Sequence, residues 1–310
     1  MIKDFVQNDT VTVYVTVRRK QVKEYNGNTF ISFEFGDASG RIAGVWWEPE
    51  RAAIEDIEEG AIIKVKGVVS QYRNKPQLKV QRVRLANEDE YDLADLLPHS
   101  KFTKDELSSK IISLTERVEN SFIKKLMHLF WDDREYFDEY LKAAAGKLWH
   151  HSYIAGLAEH SINVTEICLD MAVRYDFLNR DLLIFGGLFH DMGKVQQYKI
   201  TSFIDYSDEG RLIGHINLAD QIVTEKAKQI ESFPSKLLMK LRHLILSHHG
   251  QIEYASPVVP QIPEAFVLYY ADEIDSKMGA INRIREKDRD GAWSEYVNLL
   301  GRYLYLGEKE

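Results

Sequence analysis

The chain changes period part-way along. Apolar and polar side chains alternate first: residues 10–17 read TVTVYVTV, 29–35 TFISFEF, 41–47 RIAGVWW, 61–69 AIIKVKGVV and 77–85 QLKVQRVRL. Period-two runs rich in Val, Ile, Phe and Tyr turn one face of a pleated strand to a core and the other to water. The joints are turn-like, with Asn26-Gly27-Asn28 and then Gly36-Asp37-Ala38-Ser39-Gly40. Between the third and fourth runs, residues 48–59 suit a short helix stopped by Gly60. Five strands with a helix after the third is the layout of the OB-fold, a five-stranded Greek-key barrel.

Residues 89–102 are acidic, aperiodic and interrupted by Pro98, and are expected to link two domains. Thr103-Lys104-Asp105-Glu106 then fits a capping box, and a period near 3.6 takes over. It predicts helices over about 103–118, 120–130, 133–146, 154–175, 181–194, 213–231, 235–249, 263–286 and 292–304. Residues 203–206 and 211–213, on either side of Ser207-Asp208-Glu209-Gly210, suggest a small hairpin among them. The expected protein is multidomain: an all-β OB-fold barrel over 1–88, a linker over 89–102 and an all-α helical bundle over 103–310.

Composition narrows the class. Of 310 residues, 45% are hydrophobic and 28% charged, the balance of a globular chain. The longest apolar runs, such as 182–189, are too short to span a bilayer. No apolar stretch follows Met1, so no secretory signal is visible and a cytoplasmic location is expected. The single cysteine, Cys168, excludes an internal disulfide framework and fits a reducing compartment. The net charge of −8 conceals a split. Residues 1–86 hold 14 Lys and Arg against 11 Asp and Glu, a net of +3, which leaves 26 against 37, a net of −11, for the remainder. A mildly basic module attracts phosphate, and an acidic one suits cations.

The chemistry sits in the second part. His160, the doublet His190-Asp191, His215, the doublet His248-His249, and Asp272 occur in that order, each beside an apolar helical stretch. Taken singly, each is explained by a satisfied core histidine or a helix-end carboxylate. Together they form a set of imidazoles and carboxylates that suits two divalent cations held side by side. Asp191 is placed to be shared, because neighbours on a helix point about 100° apart. Such a cation pair hydrolyses phosphate esters.

The order H…HD…H…HH…D resembles the HD-domain metal-dependent phosphohydrolases of the binuclear subclass. With an OB-fold in front, and with the local runs LAEHS, LFHDMGK, LILSHHG and ADEIDSKM, the chain resembles the YhaM-type 3′-to-5′ exoribonucleases along essentially its whole length. That resemblance implies one metal held by His160, His190, Asp191 and Asp272, and a second held by Asp191, His215 and His248. It leaves His249 to complete the second set or to contact the scissile phosphate. Trinuclear relatives carry an acidic residue one turn before the first histidine; here Gly156 stands there, which speaks against a third metal. The implied reaction is two-metal hydrolysis that releases nucleoside 5′-monophosphates from single-stranded RNA and ssDNA.

Around that core, Lys194 is expected to neutralise phosphoryl charge, although a helix-end lysine against the dipole would look the same. Mixed nitrogen and oxygen ligands without thiolate suit Mn²⁺ first, then Co²⁺ or Fe²⁺. Asp275, one turn past Asp272, is a candidate acceptor for a ligand imidazole. His150 and His151 suit either the substrate entrance or a surface role, and His99, His128 and His243 are read as structural. On the barrel, Tyr14, Phe33, Trp46 or Trp47, and Tyr72 are candidates for stacking bases, with Arg18, Arg19, Lys20, Arg41, Arg73 and Lys75 as neighbouring cations. Two other readings stay open: a phosphohydrolase of nucleotides or cyclic dinucleotides with a regulatory barrel, and a non-catalytic single-strand-binding protein. A homo-oligomer is compatible with either half but is not derivable from them.

Overall fold

A computed structural model describes residues 1–47, 49, 56–147, 151–286 and 291–307. It divides into two compact units, Met1–Lys101 with Lys199–Asp205, and Phe102–Tyr198 with Tyr206–Glu310.

In the first unit, β1 (Thr10–Tyr25), β2 (Asn28–Asp37), β3 (Gly40–Trp47), β4 (Ile62–Tyr72) and β5 (Lys75–Leu85) close into a barrel in the order β1-β2-β3-β5-β4. All pairings are antiparallel except the closing β3–β5 pair. The alternation seen in sequence becomes the inside and outside of the wall: Val15, Val17, Ile31, Phe35, Ile63 and Leu78 are buried. The helix expected over 48–59 falls largely outside the described residues. The stretch expected as a linker is instead largely built into this unit. Asn87 and Glu90 form a capping box on a 3₁₀ turn, Glu88–Glu90, and a short helix, Leu93–Leu96, follows. Leu96 and Leu97 are buried, so three leucines within an acidic run were enough to dock it.

The second unit is helical. Thr103 and Glu106 form the predicted capping box on Lys104–Glu116, while Asn120 and Asn179 cap Ser121–Trp131 and Arg180–Phe189 through their side-chain oxygens. Arg180–Phe189 is buried from Leu182 onward and runs through the centre of the core. It packs closely on Gly156–Arg174 because Gly187 has no side chain; a Cβ there would lie 2.3 Å from Thr165 Oγ1. That approach brings the helices carrying His160 and His190 together. Further helices are Arg134–Lys142, His215–Ala227, Ser235–Ser247 and Pro263–Glu286.

Three local expectations are corrected. The helix ending near 194 stops at Phe189, and a new short helix, Lys194–Gln197, follows a turn. The hairpin is formed by β6 (Tyr198–Ile200) and β7 (Ile204–Tyr206); residues 208–212 are helical because Ser207 caps them by accepting from the Gly210 amide. Residues 292–304 are not helical. Two bridges, Trp293–Tyr305 and Val297–Arg302, fold the segment back at Gly301, whose φ is +64°. Backbone hydrogen bonds across the turn, from the Ser294 amide to the Leu304 carbonyl at 2.9 Å and from the Leu306 amide to the Ala292 carbonyl at 2.8 Å, replace those of the expected helix, with the Trp293 and Tyr305 rings 5.1 Å apart beside them.

Candidate metal centre

His160 lies in Gly156–Arg174, His190 directly follows Arg180–Phe189, and Asp191 lies in the turn after it. His215 opens His215–Ala227, His248 ends Ser235–Ser247, and Asp272 lies in Pro263–Glu286. The structure brings these side chains together around Asp191. Its Oδ1 is 3.3 Å from His215 Nε2 and 3.4 Å from His248 Nε2. Its Oδ2 is 3.5 Å from His190 Nε2 and 3.6 Å from His160 Nε2, and also accepts from Lys194 Nζ. Asp272 Oδ1 is 3.2 Å from His160 Nε2, which in turn is 3.3 Å from His190 Nε2. One carboxylate thus presents one oxygen to each of two imidazole pairs.

The opposite ring nitrogens show what this cluster offers a cation. Each Nδ1 faces an acceptor: Asp275 for His160 at 2.6 Å, the Gly187 carbonyl for His190 at 3.0 Å, Gln197 Oε1 for His215 at 3.0 Å and the Ile245 carbonyl for His248 at 2.7 Å. These partners assign the proton to Nδ1 and leave each Nε2 with a lone pair. The centre then consists of lone pairs and carboxylate oxygens facing one another. Asp191 Oδ1, His215 Nε2 and His248 Nε2 are buried without a hydrogen-bond partner. Leaving such atoms unmet is costly, whereas separations of 3.2 to 3.6 Å suit neighbouring ligands of one divalent ion with bonds of about 2.1 Å. Among the described residues, three sets have donor atoms within 4.8 Å of one another: His160 with His190 and Asp272, His215 with His248 and His249, and, beside them, His151 with His160 and Asp275.

Electrostatics point the same way. Burial works to lower the His160 pKa, yet its hydrogen bonds to Asp272 and Asp275 overcome this and carry it up to about 10. In the absence of a cation, a proton is drawn into the site. Burial would raise the Asp191 carboxyl, but Lys194, His190 and His215 hold it well below the usual carboxylate range. Burial pushes His215 down to about 4, and burial together with His248 and His215 pushes His249 down to about 3, so both rings are neutral near neutral pH.

Other expected residues separate. Lys194 begins a helix rather than ending one, so the reading of a lysine against a helix C-terminus does not hold. His151 is buried on Asp275 and does not sit at the surface, while His150 lies outside the described residues. His128 pairs with Glu116 at 2.9 Å, and His243 accepts from the Gln261 amide at 2.9 Å. Gln197, which holds both the backbone amide and Nδ1 of His215, was not singled out in the sequence. Nothing in the sequence flags a glutamine six residues past the doublet.

On the barrel, Phe33 and Trp46 are corrected. They are 3% and 7% exposed, inside the core, and have no face open to a base. Trp47, its neighbour on the outer side, is 47% exposed and stacks on Phe30 at 4.6 Å, with Tyr25 edge-on at 6.4 Å. Tyr72 is exposed with Arg73 over its ring at 5.3 Å, and Lys75 faces it across the turn. Arg19 and Arg41 share an outer groove with Gln21, Ser32 and Glu34, and Arg41 pairs with Glu34 at 2.7 Å. Tyr14 carries Lys64 over its ring at 4.9 Å. Arg18 is half-buried; burial lowers its pKa, and its guanidinium lies over Phe203 at 5.0 Å.

Comparison with known proteins gives both halves. The family model of the HD domain matches residues 157–277, and that of the OB-fold nucleic acid binding domain matches residues 11–86. The chain is 33% identical over 271 residues to the 3′-5′ exoribonuclease YhaM of Oceanobacillus iheyensis, covering 87% of this chain and 84% of that protein. It is 32% identical over 278 residues to the 3′-5′ exoribonuclease YhaM of Bacillus subtilis, covering 89% of this chain and 87% of that one. No described helix is long and apolar enough to cross a membrane.

Proposed function

The chain belongs to the YhaM family of 3′-5′ exoribonucleases, and from that premise we propose that it shortens single-stranded RNA from the 3′ end with release of nucleoside 5′-monophosphates. The observation that carries this reading is the division of Asp191 between two imidazole pairs, with unmatched lone pairs on both sides. His160, His190, Asp272 and Asp191 Oδ2 would hold one divalent cation, and His215, His248, His249 and Asp191 Oδ1 a second. Mn²⁺ fits the nitrogen and oxygen donors best, ahead of Co²⁺ and Fe²⁺. When bound, such ions supply positive charge to a phosphoryl group and make water acidic enough to attack at neutral pH.

The chain's own groups do the rest. Lys194 keeps Asp191 ionised, and its ammonium has three protons, so some remain for a phosphoryl oxygen. The hydrogen bonds to every Nδ1 hold the rings in one orientation, so no reorganisation is needed as charge develops. On the barrel, base stacking falls to Trp47, Tyr72 and Tyr14, and phosphate contacts fall to Arg19, Arg41, Arg73 and Lys75. Single-stranded DNA is a second substrate on this reading, because stacking and phosphate contacts do not involve the 2′-hydroxyl.

The test is a 5′-labelled single-stranded RNA incubated with Mn²⁺, beside EDTA, ssDNA, deoxynucleoside triphosphates and cyclic dinucleotides. A ladder that shortens stepwise from the 3′ end with Mn²⁺, and stops with EDTA, is expected. Intact RNA with Mn²⁺ present would end the proposal, and turnover of cyclic dinucleotides alone would favour a small-molecule phosphohydrolase.

A further inference from the structure

Beside the centre, a second set of buried polar groups converges on Asp275. Its Oδ2 accepts from His160 Nδ1 at 2.6 Å and from His151 Nε2 at 2.8 Å, and its Oδ1 accepts from Asn163 Nδ2 at 2.9 Å. His151, His160 and Asp275 are all buried. A carboxylate with one partner can pivot about it; with imidazoles on one oxygen and an amide on the other, its plane is fixed. Asp272 and Asp275 stand one turn apart on Pro263–Glu286, so one helix meets both nitrogens of the His160 ring. The three groups do not form a third cation site, because separations of 2.6 and 2.8 Å are direct hydrogen bonds with no room for an ion between them.

His151 reaches Asp275 from a bent loop, not from a helix. Its φ is +41° and that of Ala155 is +65°, left-handed conformations that cost about 1–3 kcal/mol each for residues other than glycine. Gly156 allows the loop to close on the helix start, since a Cβ there would lie 2.1 Å from the His151 carbonyl oxygen. Farther from the centre, His151 Nδ1 is 2.6 Å from the Tyr153 hydroxyl, which donates to Glu159 at 2.9 Å. The backbone therefore accepts strain to seat one imidazole on a carboxylate that His160 shares.

We infer that His151 and Asp275 are positioning residues for His160, fixing its Nδ1–H tautomer and ring orientation so that Nε2 faces Asp191 and Asp272. The inference rests on the metal reading proposed above and extends it to a residue that touches no cation. An asparagine at 275 can keep its oxygen on the imidazoles and its N–H on Asn163 if the Asn163 amide turns over, so Asp275→Asn removes the negative charge that faces both rings at unchanged size.

The probe is Mn²⁺, titrated calorimetrically into the full chain, with metal content measured by elemental analysis and folding checked by circular dichroism. His151→Ala is expected to weaken Mn²⁺ binding about 10-fold. His151→Gln, which returns an N–H near the Nε2 position, should regain most of the loss, and Asp275→Asn should lose at least as much as His151→Ala. Parent-like Mn²⁺ affinity in His151→Ala, while the parent binds Mn²⁺ and shortens RNA, overturns this inference and leaves the proposed function standing. Equal losses in His151→Ala and His151→Gln, matched by equal losses in melting temperature, overturn it as well, because the residue would then be structural only. A parent that takes up no Mn²⁺ overturns both.

Discussion

Replacing Asp191 with asparagine should separate stability from chemistry. Asp191 is 1% exposed and pairs with Lys194, itself 7% exposed. The substitution leaves a buried ammonium without its counter-charge, at a cost of about 3–5 kcal/mol in the metal-free protein. A unit of this size loses roughly 2–4 °C of Tm per kcal/mol, so a fall on the order of 10 °C is expected in EDTA. The same change removes the oxygen pair that serves both imidazole sets. If that forfeits several kcal/mol of charge stabilisation in the transition state, at about 1.4 kcal/mol per decade the turnover of 5′-labelled RNA with Mn²⁺ drops by roughly 10³-fold or more. The double variant Asp191→Asn with Lys194→Met removes the stranded charge. It should regain most of the lost Tm and none of the lost turnover, a coupling that a double-mutant cycle measures directly. Oligonucleotide binding by fluorescence anisotropy should stay near the parent value in the single variant, since base stacking and most phosphate contacts are assigned to the barrel. An Asp191→Asn protein that degrades RNA within about 10-fold of the parent rate, or a double variant no more stable than the single one, would refute the argument.

Three further outcomes are expected. Trp47→Ala should weaken single-stranded RNA binding by about 1–3 kcal/mol without changing the melting temperature, whereas Trp46→Ala should cost about 3–5 kcal/mol of stability; the reverse pattern in binding isotherms and melts would mean that the two faces of β3 have been exchanged. Cys168 is fully buried and its thiol is pushed up by burial, so Ellman's reagent should leave it untouched in the native protein and titrate it once the chain is unfolded in guanidinium; rapid native labelling would refute the packing around Gly156–Arg174. Glu90, held by Arg84 at 2.6 Å and by the Asn87 amide at 3.0 Å, is pushed down to about 2 from an ordinary value of 4.5. Its contribution to stability is therefore full above the ordinary value and lost as pH falls towards 2, and an NMR titration midpoint at or above 4 would contradict it.

What the sequence disclosed, and what it did not, follows from the range of the forces involved. The five strands and the capped helices were legible because alternation, turn glycines and capping side chains act over a few residues. Alternation also told that Trp46 and Trp47 face opposite ways, but not which one faces inward, since that depends on closure of the barrel by β3 against β5. Local reasoning failed at 292–304, where backbone pairing between residues up to fourteen apart takes the place of a helix. The metal set was legible as a list of residue types in order, because few other arrangements use them together. Its division was not: only the assembled helices show that Asp191 gives one oxygen to each imidazole pair. Gln197 was missed altogether, and His151 and Asp275 were each named but not joined, being 124 residues apart. No spacing could join them. Yet the strained backbone at His151 and Ala155, closed over Gly156, is what a chain tolerates when a distant hydrogen bond must be made. The pairing that spacing does not disclose is therefore the one at which the fold gives up local comfort for the centre, and that is where a designed change should uncouple metal affinity from global stability.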